Sequence, residues 1–370
     1  MRLLISVCLL VLVAACMSET QSIPSPAGSR LASAGLGLAR PAPPLAPQLE
    51  QDRIIARDGA VLPLRSWLPD GTPGAIVLAL HGFNDYSNAF ATTGQAFAAS
   101  GIAVFAYDQR GFGAAPQRGR WAGTERMVDD TVTATRLLRE HYPGVPVYLL
   151  GESMGGAVAI LASIRAGRGD GAADGVILLA PAVWGRTTMN VFERAGLWFA
   201  DLFPQVRLSP DLIPVRILAS DNLPMLRDLG HDPLVVKETR ADTLNGLVDL
   251  MGEALAAAPA FRSRALILYG EQDAIVPRRA MASFVAALPQ ADAARQRVAI
   301  YPQGYHLLSR DLEGPMVVSD MAAWIERSEA ALPSGADQDG RARLAGRPTV
   351  PPRANTSASG AKPSWQRAPS

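Results

Sequence analysis

The chain has 370 residues, 48% of them hydrophobic and 19% charged, with a formal net charge of +1. That length admits one large domain with a filled core plus appendages, and a near-neutral chain without a basic run argues against a nucleic-acid partner. The two cysteines, Cys8 and Cys16, both fall at the N-terminal end, so the rest of the chain is expected to fold without disulfides or cysteine-bound metal.

Taken in chain order, the first segment reads as a targeting signal. Arg2 gives a small positive start, and the apolar run from Leu3 to Val13 is too short to span a bilayer comfortably. It ends in Val13-Ala14-Ala15-Cys16, which resembles a bacterial lipobox. On that reading residues 1–15 are a lipoprotein signal peptide and Cys16 carries the lipid that anchors the protein to a membrane. An ordinary secretory signal cut near the alanines is the alternative. Either way the protein is expected to be exported to the bacterial cell envelope. Met17 rather than Asp after the cysteine favours the outer membrane, facing the periplasm. Residues 16–50, rich in Pro, Ala, Ser and Gly, read as a flexible tether.

Apolar strand-like runs then alternate with longer helical patterns. Strands are expected at 53–56, 62–68, 75–80, 102–107, 145–150, 175–180, 265–269 and 297–301. Asp58-Gly59 between the first two is a hairpin signal. The later strands are continuous apolar runs, as in a parallel sheet covered on both faces. Helices are expected at 86–100, 124–141, 153–166, 244–258, 278–288 and 315–329. This gives a core made of 51–181 and 246–330. Residues 182–245 break the alternation; with Trp184, Phe192, Trp198, Phe199 and Phe203 they read as a helical cap over the C-terminal edge of the sheet. Residues 331–370, again rich in Pro, Gly, Ser and Arg, read as a disordered tail.

The chemistry centres on Gly151-Glu152-Ser153-Met154-Gly155, placed after an apolar strand and before a small, apolar helix. A serine between two glycines at such a junction is a nucleophile-elbow pattern. A serine hydroxyl needs a base, and the base needs an orienting carboxylate. Of four histidines, His141 ends a helix, His231 lies in the expected cap and His81 precedes the serine; His306 follows the last strand and is assigned as the base. Asp273, in the loop Gly270-Glu271-Gln272-Asp273 after the preceding strand, is the preferred carboxylate, with Glu271 as runner-up. The oxyanion donors are expected at the backbone N–H groups of Met154 and Phe83, with His81 bracing the latter's loop. No metal and no cofactor are called for.

Five segments in this order carry a family resemblance: His81-Gly82-Phe83, Tyr107-Asp108-Gln109-Arg110-Gly111-Phe112-Gly113, Gly151-Glu152-Ser153-Met154-Gly155-Gly156, Gly270 to Pro277, and the loop around His306. From about residue 52 to 328 the chain resembles an α/β-hydrolase of the monoacylglycerol lipase, lysophospholipase and serine aminopeptidase S33 group. The resemblance implies the α/β-hydrolase fold: a mostly parallel eight-stranded sheet with helices on both faces and a helical cap insertion. It implies a triad of Ser153, Asp273 and His306, with oxyanion donors at Phe83 and Met154. Asp108-Gln109-Arg110-Gly111 then matches the family's fourth-strand turn, a structural element. Glu152 stands where the family frequently has histidine. The activity implied is hydrolysis of a small lipid or other carboxylic ester, most naturally a monoacylglycerol or lysophospholipid. An aminopeptidase or amidase on the same triad is the second enzymatic reading; it needs an acidic site, for which Glu193, Asp201 and Asp211 are available. A lipid-anchored binding protein without activity is the reading from another class.

Overall fold

The computed structural model describes residues 45–186, 189, 191–209 and 217–346. The signal segment with Cys16, most of the expected tether and residues 347–370 lie outside the described residues.

The first three strands, β1 (Gln48–Leu49), β2 (Arg53–Ile55) and β3 (Val61–Trp67), form an antiparallel edge. β4 (Ala75–Leu80), helix α1 (Ala91–Ala99), β5 (Ile102–Tyr107), α2 (Thr124–His141), β6 (Val147–Glu152), α3 (Met154–Ala166) and β7 (Gly175–Leu179) follow. Next come α4 (Val191–Asp201), the two-residue strand β8 (Arg207–Leu208), α5 (Leu223–His231), β9 (Thr239–Arg240) and α6 (Ala241–Ala256). The chain then returns to the sheet through β10 (Ala265–Gly270), α7 (Arg278–Ala287) and β11 (Gln296–Tyr301), and ends in α8 (Gly314–Glu326) and α9 (Gly340–Leu344).

Nine strands make one sheet in the order β1-β2-β3-β5-β4-β6-β7-β10-β11. From β5 to β11 every neighbouring pair is parallel, while β3 meets β5 antiparallel. All eight expected strands are in it. The ninth, β1, lies inside the expected tether, so ordered structure starts earlier than its composition implied. Leu45 N–H reaches Arg57 O at 2.9 Å and Gln48 pairs with Ile55, using backbone groups that composition does not reveal.

The continuous apolar runs are central because both of their faces are covered. In β4, Ile76, Leu78 and Leu80 join a layer with Met127 of α2, Val158 of α3, Leu250 of α6 and Phe284 of α7. Val77 and Ala79 point the other way, into a layer with Phe97 of α1 and Met321 and Trp324 of α8. Each such side chain removed from water contributes about 1.5–3 kcal/mol.

Part of the stretch read as a disordered tail, residues 331–346, is ordered. Leu332, Ala336 and Leu344 are buried. Ile300 N–H of β11 donates to Ala336 O at 2.9 Å, Arg341 reaches Gln296 O at 3.0 Å and Arg343 reaches Ile300 O at 3.3 Å. Residues 331–346 therefore cover the outer edge of the last strand. Pro, Gly and Arg do this through hydrogen bonds and single apolar anchors, without the periodicity of a core helix.

The stretch read as a cap contains α4, α5 and the small ribbon β8–β9. It is tied to the sheet's C-terminal edge by Val236 N–H to Asn84 O (2.9 Å), Leu307 N–H to Ala219 O (3.0 Å) and Leu312 N–H to Asp221 Oδ1 (2.8 Å).

Candidate active site

Ser153 lies between the end of β6 and the start of α3, with φ 52° and ψ −113°. A non-glycine residue with positive φ stores on the order of 1–3 kcal/mol and persists only where its surroundings impose it. Here the glycines impose it by close approach. A Cβ on Gly151 would stand 2.4 Å from Gly155 O, and one on Gly155 would stand 2.0 Å from Leu80 O. The second contact presses the elbow against the end of β4, which leads directly into the loop of Phe83.

That loop is braced by His81, which is buried. Its Nδ1–H donates to Gly82 O at 2.8 Å and its Nε2 accepts from Gln109 N–H at 3.0 Å, while the Gln109 side chain donates to His81 O at 2.9 Å. Burial pushes the imidazole below its usual pKa, in keeping with a neutral ring that donates on one side and accepts on the other. Phe112 packs edge-on against both His81 and Phe83, at 5.7 and 5.5 Å between ring centres. Asn84 takes a left-handed turn at φ 66° and its side chain donates to Thr239 Oγ1 at 2.7 Å. Gly82 sits against the elbow, where a Cβ would be 3.6 Å from Ser153 Cβ.

The expected base and carboxylate follow neighbouring parallel strands. β10 and β11 are in register from Ala265↔Gln296 to Gly270↔Tyr301, so the loops leaving them emerge side by side. Gly270 permits the contact, because a Cβ there would stand 2.2 Å from Gly304 O. Asp273 Oδ1 accepts the N–H groups of Ile275 and Val276 at 2.8 and 2.9 Å, and its Oδ2 accepts His306 Nδ1–H at 2.8 Å. Both residues are buried. Glu271, the runner-up, turns outward to Arg343 at 3.3 Å. His141 is exposed and stacks on Tyr142, and His231 is exposed at the end of α5.

The structure thus joins Asp273 to His306 directly and seats Ser153 and Phe83 on adjoining loops. No hydrogen bond links Ser153 to His306; in serine enzymes such bonds are often long before substrate arrives. Asp108 holds Ser87 N–H and Ala114 N–H at 3.0 and 2.8 Å, as a turn-forming residue would. Among the described residues no cluster of His, Cys, Asp and Glu could hold a metal ion, and no helix is long and apolar enough to cross a membrane. Asp211, and the side chains of Glu193 and Asp201, fall outside the described residues.

Sequence reasoning did not find the charges beneath the site. Arg310 donates to Glu152 Oε1 at 2.6 Å and to Asp85 Oδ2 at 2.8 Å; both carboxylates are buried and the arginine nearly so. The available signal was Glu152 itself. A glutamate between a core strand and a buried helix has no route to solvent, so it must either keep its proton or meet a cation inside.

A mostly parallel sheet covered on both faces, with a serine at a strand–helix elbow, defines the α/β-hydrolase class. The family model Hydrolase_4, described as Serine aminopeptidase, S33, matches residues 71–313, and the chain belongs to that family. It is a serine ester hydrolase. A human monoglyceride lipase is 27% identical over 279 residues, covering 74% of this chain and 88% of the relative. A monoacylglycerol lipase from Mycolicibacterium smegmatis is 25% identical over 272 residues, covering 70% and 90%. Among solved structures, a Paleococcus ferrophilus monoacylglycerol lipase aligns with a TM-score of 0.60 at 21% identity, over 73% of this chain and 99% of its own. A soluble variant of monoglyceride lipase from Saccharomyces cerevisiae, in complex with a substrate analogue, aligns at 0.62 and 19% identity, over 78% and 97%. At such identities the structural likeness establishes the fold.

Proposed function

We propose that the chain hydrolyses the ester of a single-chain lipid, a monoacylglycerol or lysophospholipid, through an acyl-enzyme on Ser153. The observation that carries this is the buried Asp273–His306 pair at 2.8 Å, at the same sheet edge as the positive-φ Ser153. Asp273 holds the proton on His306 Nδ1, which leaves Nε2 free to act as base. Ser153 Oγ attacks the ester carbonyl as Nε2 takes its proton. The N–H groups of Phe83 and Met154 receive the oxyanion, an interaction for which each donor contributes about 10²–10³ in rate. His306 returns the proton to the departing alcohol. Water then repeats the sequence and releases the fatty acid.

The lipid assignment draws support from relatives named as monoglyceride lipases and from the exposed apolar side chains Trp198, Leu202, Val206 and Ile217. Exposed apolar side chains in a segment tied to the sheet's C-terminal edge suit an acyl chain or a lipid surface. The N-terminal segment adds a second element of the reading: a lipid on Cys16 would keep the enzyme at a membrane of the cell envelope.

A fluorophosphonate probe should label the wild type and not Ser153→Ala. With p-nitrophenyl esters of rising chain length set against amino-acid anilides, esters should turn over faster. Faster anilides would overturn the lipid reading, and equal labelling of Ser153→Ala would overturn the nucleophile.

A further inference from the structure

Three loops carry the proposed machinery, and each sends one charged side chain to the same buried point. Glu152 immediately precedes Ser153, Asp85 lies two residues past Phe83, and Arg310 lies four past His306. Their side chains are only 1%, 8% and 9% exposed. Arg310 Nη2 donates to Glu152 Oε1 at 2.6 Å and Nη1 to Asp85 Oδ2 at 2.8 Å. Asp85 Oδ1 in turn holds Tyr86 N–H at 2.9 Å, and Arg310 O accepts the Asn222 side chain at 3.0 Å. One planar guanidinium therefore touches the elbow and the oxyanion loop while sitting in the base loop.

Stability alone does not account for this arrangement. Buried ion pairs roughly break even against apolar packing of the same shape, and their best-attested use is to fix register. The trio is also incompletely satisfied, since Glu152 Oε2 and Arg310 Nε have no hydrogen-bond partner. Two carboxylates share one cation, and burial, with the Asp85 charge alongside, holds the Glu152 carboxyl above its usual range despite the opposing pull of Arg310. The rigid two-pronged fork suits the position, because arginine bonds two acceptors in fixed directions where lysine offers a point charge.

We propose that Arg310 is a positioning residue: its fork to Asp85 and Glu152 holds the oxyanion loop, the nucleophile elbow and the base loop in catalytic register. This rests on the reading of Ser153, Asp273 and His306 as the triad. Arg310 touches no reacting atom in this account. It acts through the placement of Phe83 N–H, Ser153 Oγ and His306 Nε2 relative to one another. A misplacement of about 1 Å costs on the order of 100-fold in rate.

The test is steady-state kinetics on a p-nitrophenyl ester with Arg310→Met, Arg310→Lys, Glu152→Gln and Asp85→Asn, each normalised to folded protein by circular dichroism. Arg310→Met should lower kcat by about 100-fold with KM within about threefold. Arg310→Lys should recover part of that loss, because one ammonium can serve one carboxylate. Glu152→Gln and Asp85→Asn keep an acceptor for the fork but lose its charge, and should each lower kcat by about three- to tenfold. A purely structural role predicts loss of folded protein with unchanged kcat for what remains; that result, or wild-type kcat in Arg310→Met, overturns the proposal. If Arg310→Met does not fold, Glu152→Gln and Asp85→Asn carry the decision: lowered kcat at unchanged KM supports the clamp, and wild-type kcat in both refutes it. Ser153→Ala in the same assay separates the two layers. An unimpaired Ser153→Ala removes the triad reading itself, whereas an inactive Ser153→Ala beside an unimpaired Arg310→Met removes only the clamp.

Discussion

Asp273 holds two backbone N–H groups with one oxygen and His306 with the other. An asparagine can keep the backbone bonds, but its amide must meet His306 with a donor or lose the contact. The imidazole then takes the wrong tautomer, so Asp273→Asn should lower kcat on the order of 10⁴-fold. Glu271 pairs at the surface with Arg343, and Glu271→Gln should stay within about threefold, as surface changes do. Ester turnover by the two variants checks the assignment; the reverse order of losses would sink it. A second residue-scale expectation concerns Asp311, whose Oδ2 holds Tyr305 N–H at 2.7 Å beside the base. Burial pushes its carboxyl up from the ordinary 3.8 to about 6. A raised carboxyl means the folded state holds the proton more tightly than the unfolded chain. Its ionisation thus costs stability as pH rises through about 4 to 6, and the cost persists above that. Asp311→Asn removes this titration. The melting temperature of the variant relative to wild type should rise between about pH 4 and pH 7.5. A difference that does not change with pH would exclude the account.

At the scale of elements, the legible parts were those written in local pattern. β4, β5, β7 and β10 are continuous apolar runs and are buried along their whole length. The elbow was legible because its glycines are required by contacts that a Cβ would break. The Arg310 cluster was not, because Asp85 and Arg310 are 225 positions apart and each resembles an ordinary surface charge. β1 was missed because two residues carry no period. The C-terminal segment was missed because its contribution is to the backbone of β11: Gly340 fits where a Cβ would stand 2.0 Å from Val298 O, and two arginines reach the carbonyls of Gln296 and Ile300. An exposed strand edge is a template for pairing with other chains. A chain ending at residue 330 should therefore aggregate, with rising light scattering and loss of ester turnover. A monomeric, fully active truncation would show the cover to be dispensable.

For the whole molecule, the proposed site is a product of long-range closure. Ser153 comes from the middle of the sheet, while Asp273 and His306 enter only after the α4–α6 excursion has returned to β10 and β11. No fragment containing the elbow alone holds the base, so activity and global folding should be lost together. Several apolar residues of the excursion are exposed, and the proposed anchor at Cys16 would bring them near a bilayer. Radiolabelled palmitate should enter the wild type and not Cys16→Ala; equal incorporation would refute the anchor.

The cover over β11 has a consequence in time. Residues 336–344 follow the strand they protect, so a growing chain exposes that edge before it can hide it. Both partners of the Asp273–His306 contact precede this cover in the chain. A growing chain thus carries both members of the proposed pair while the edge of the sheet is still open to neighbours. Nascent chains that stall there would be the most vulnerable to strand-swapping, whatever compartment receives them.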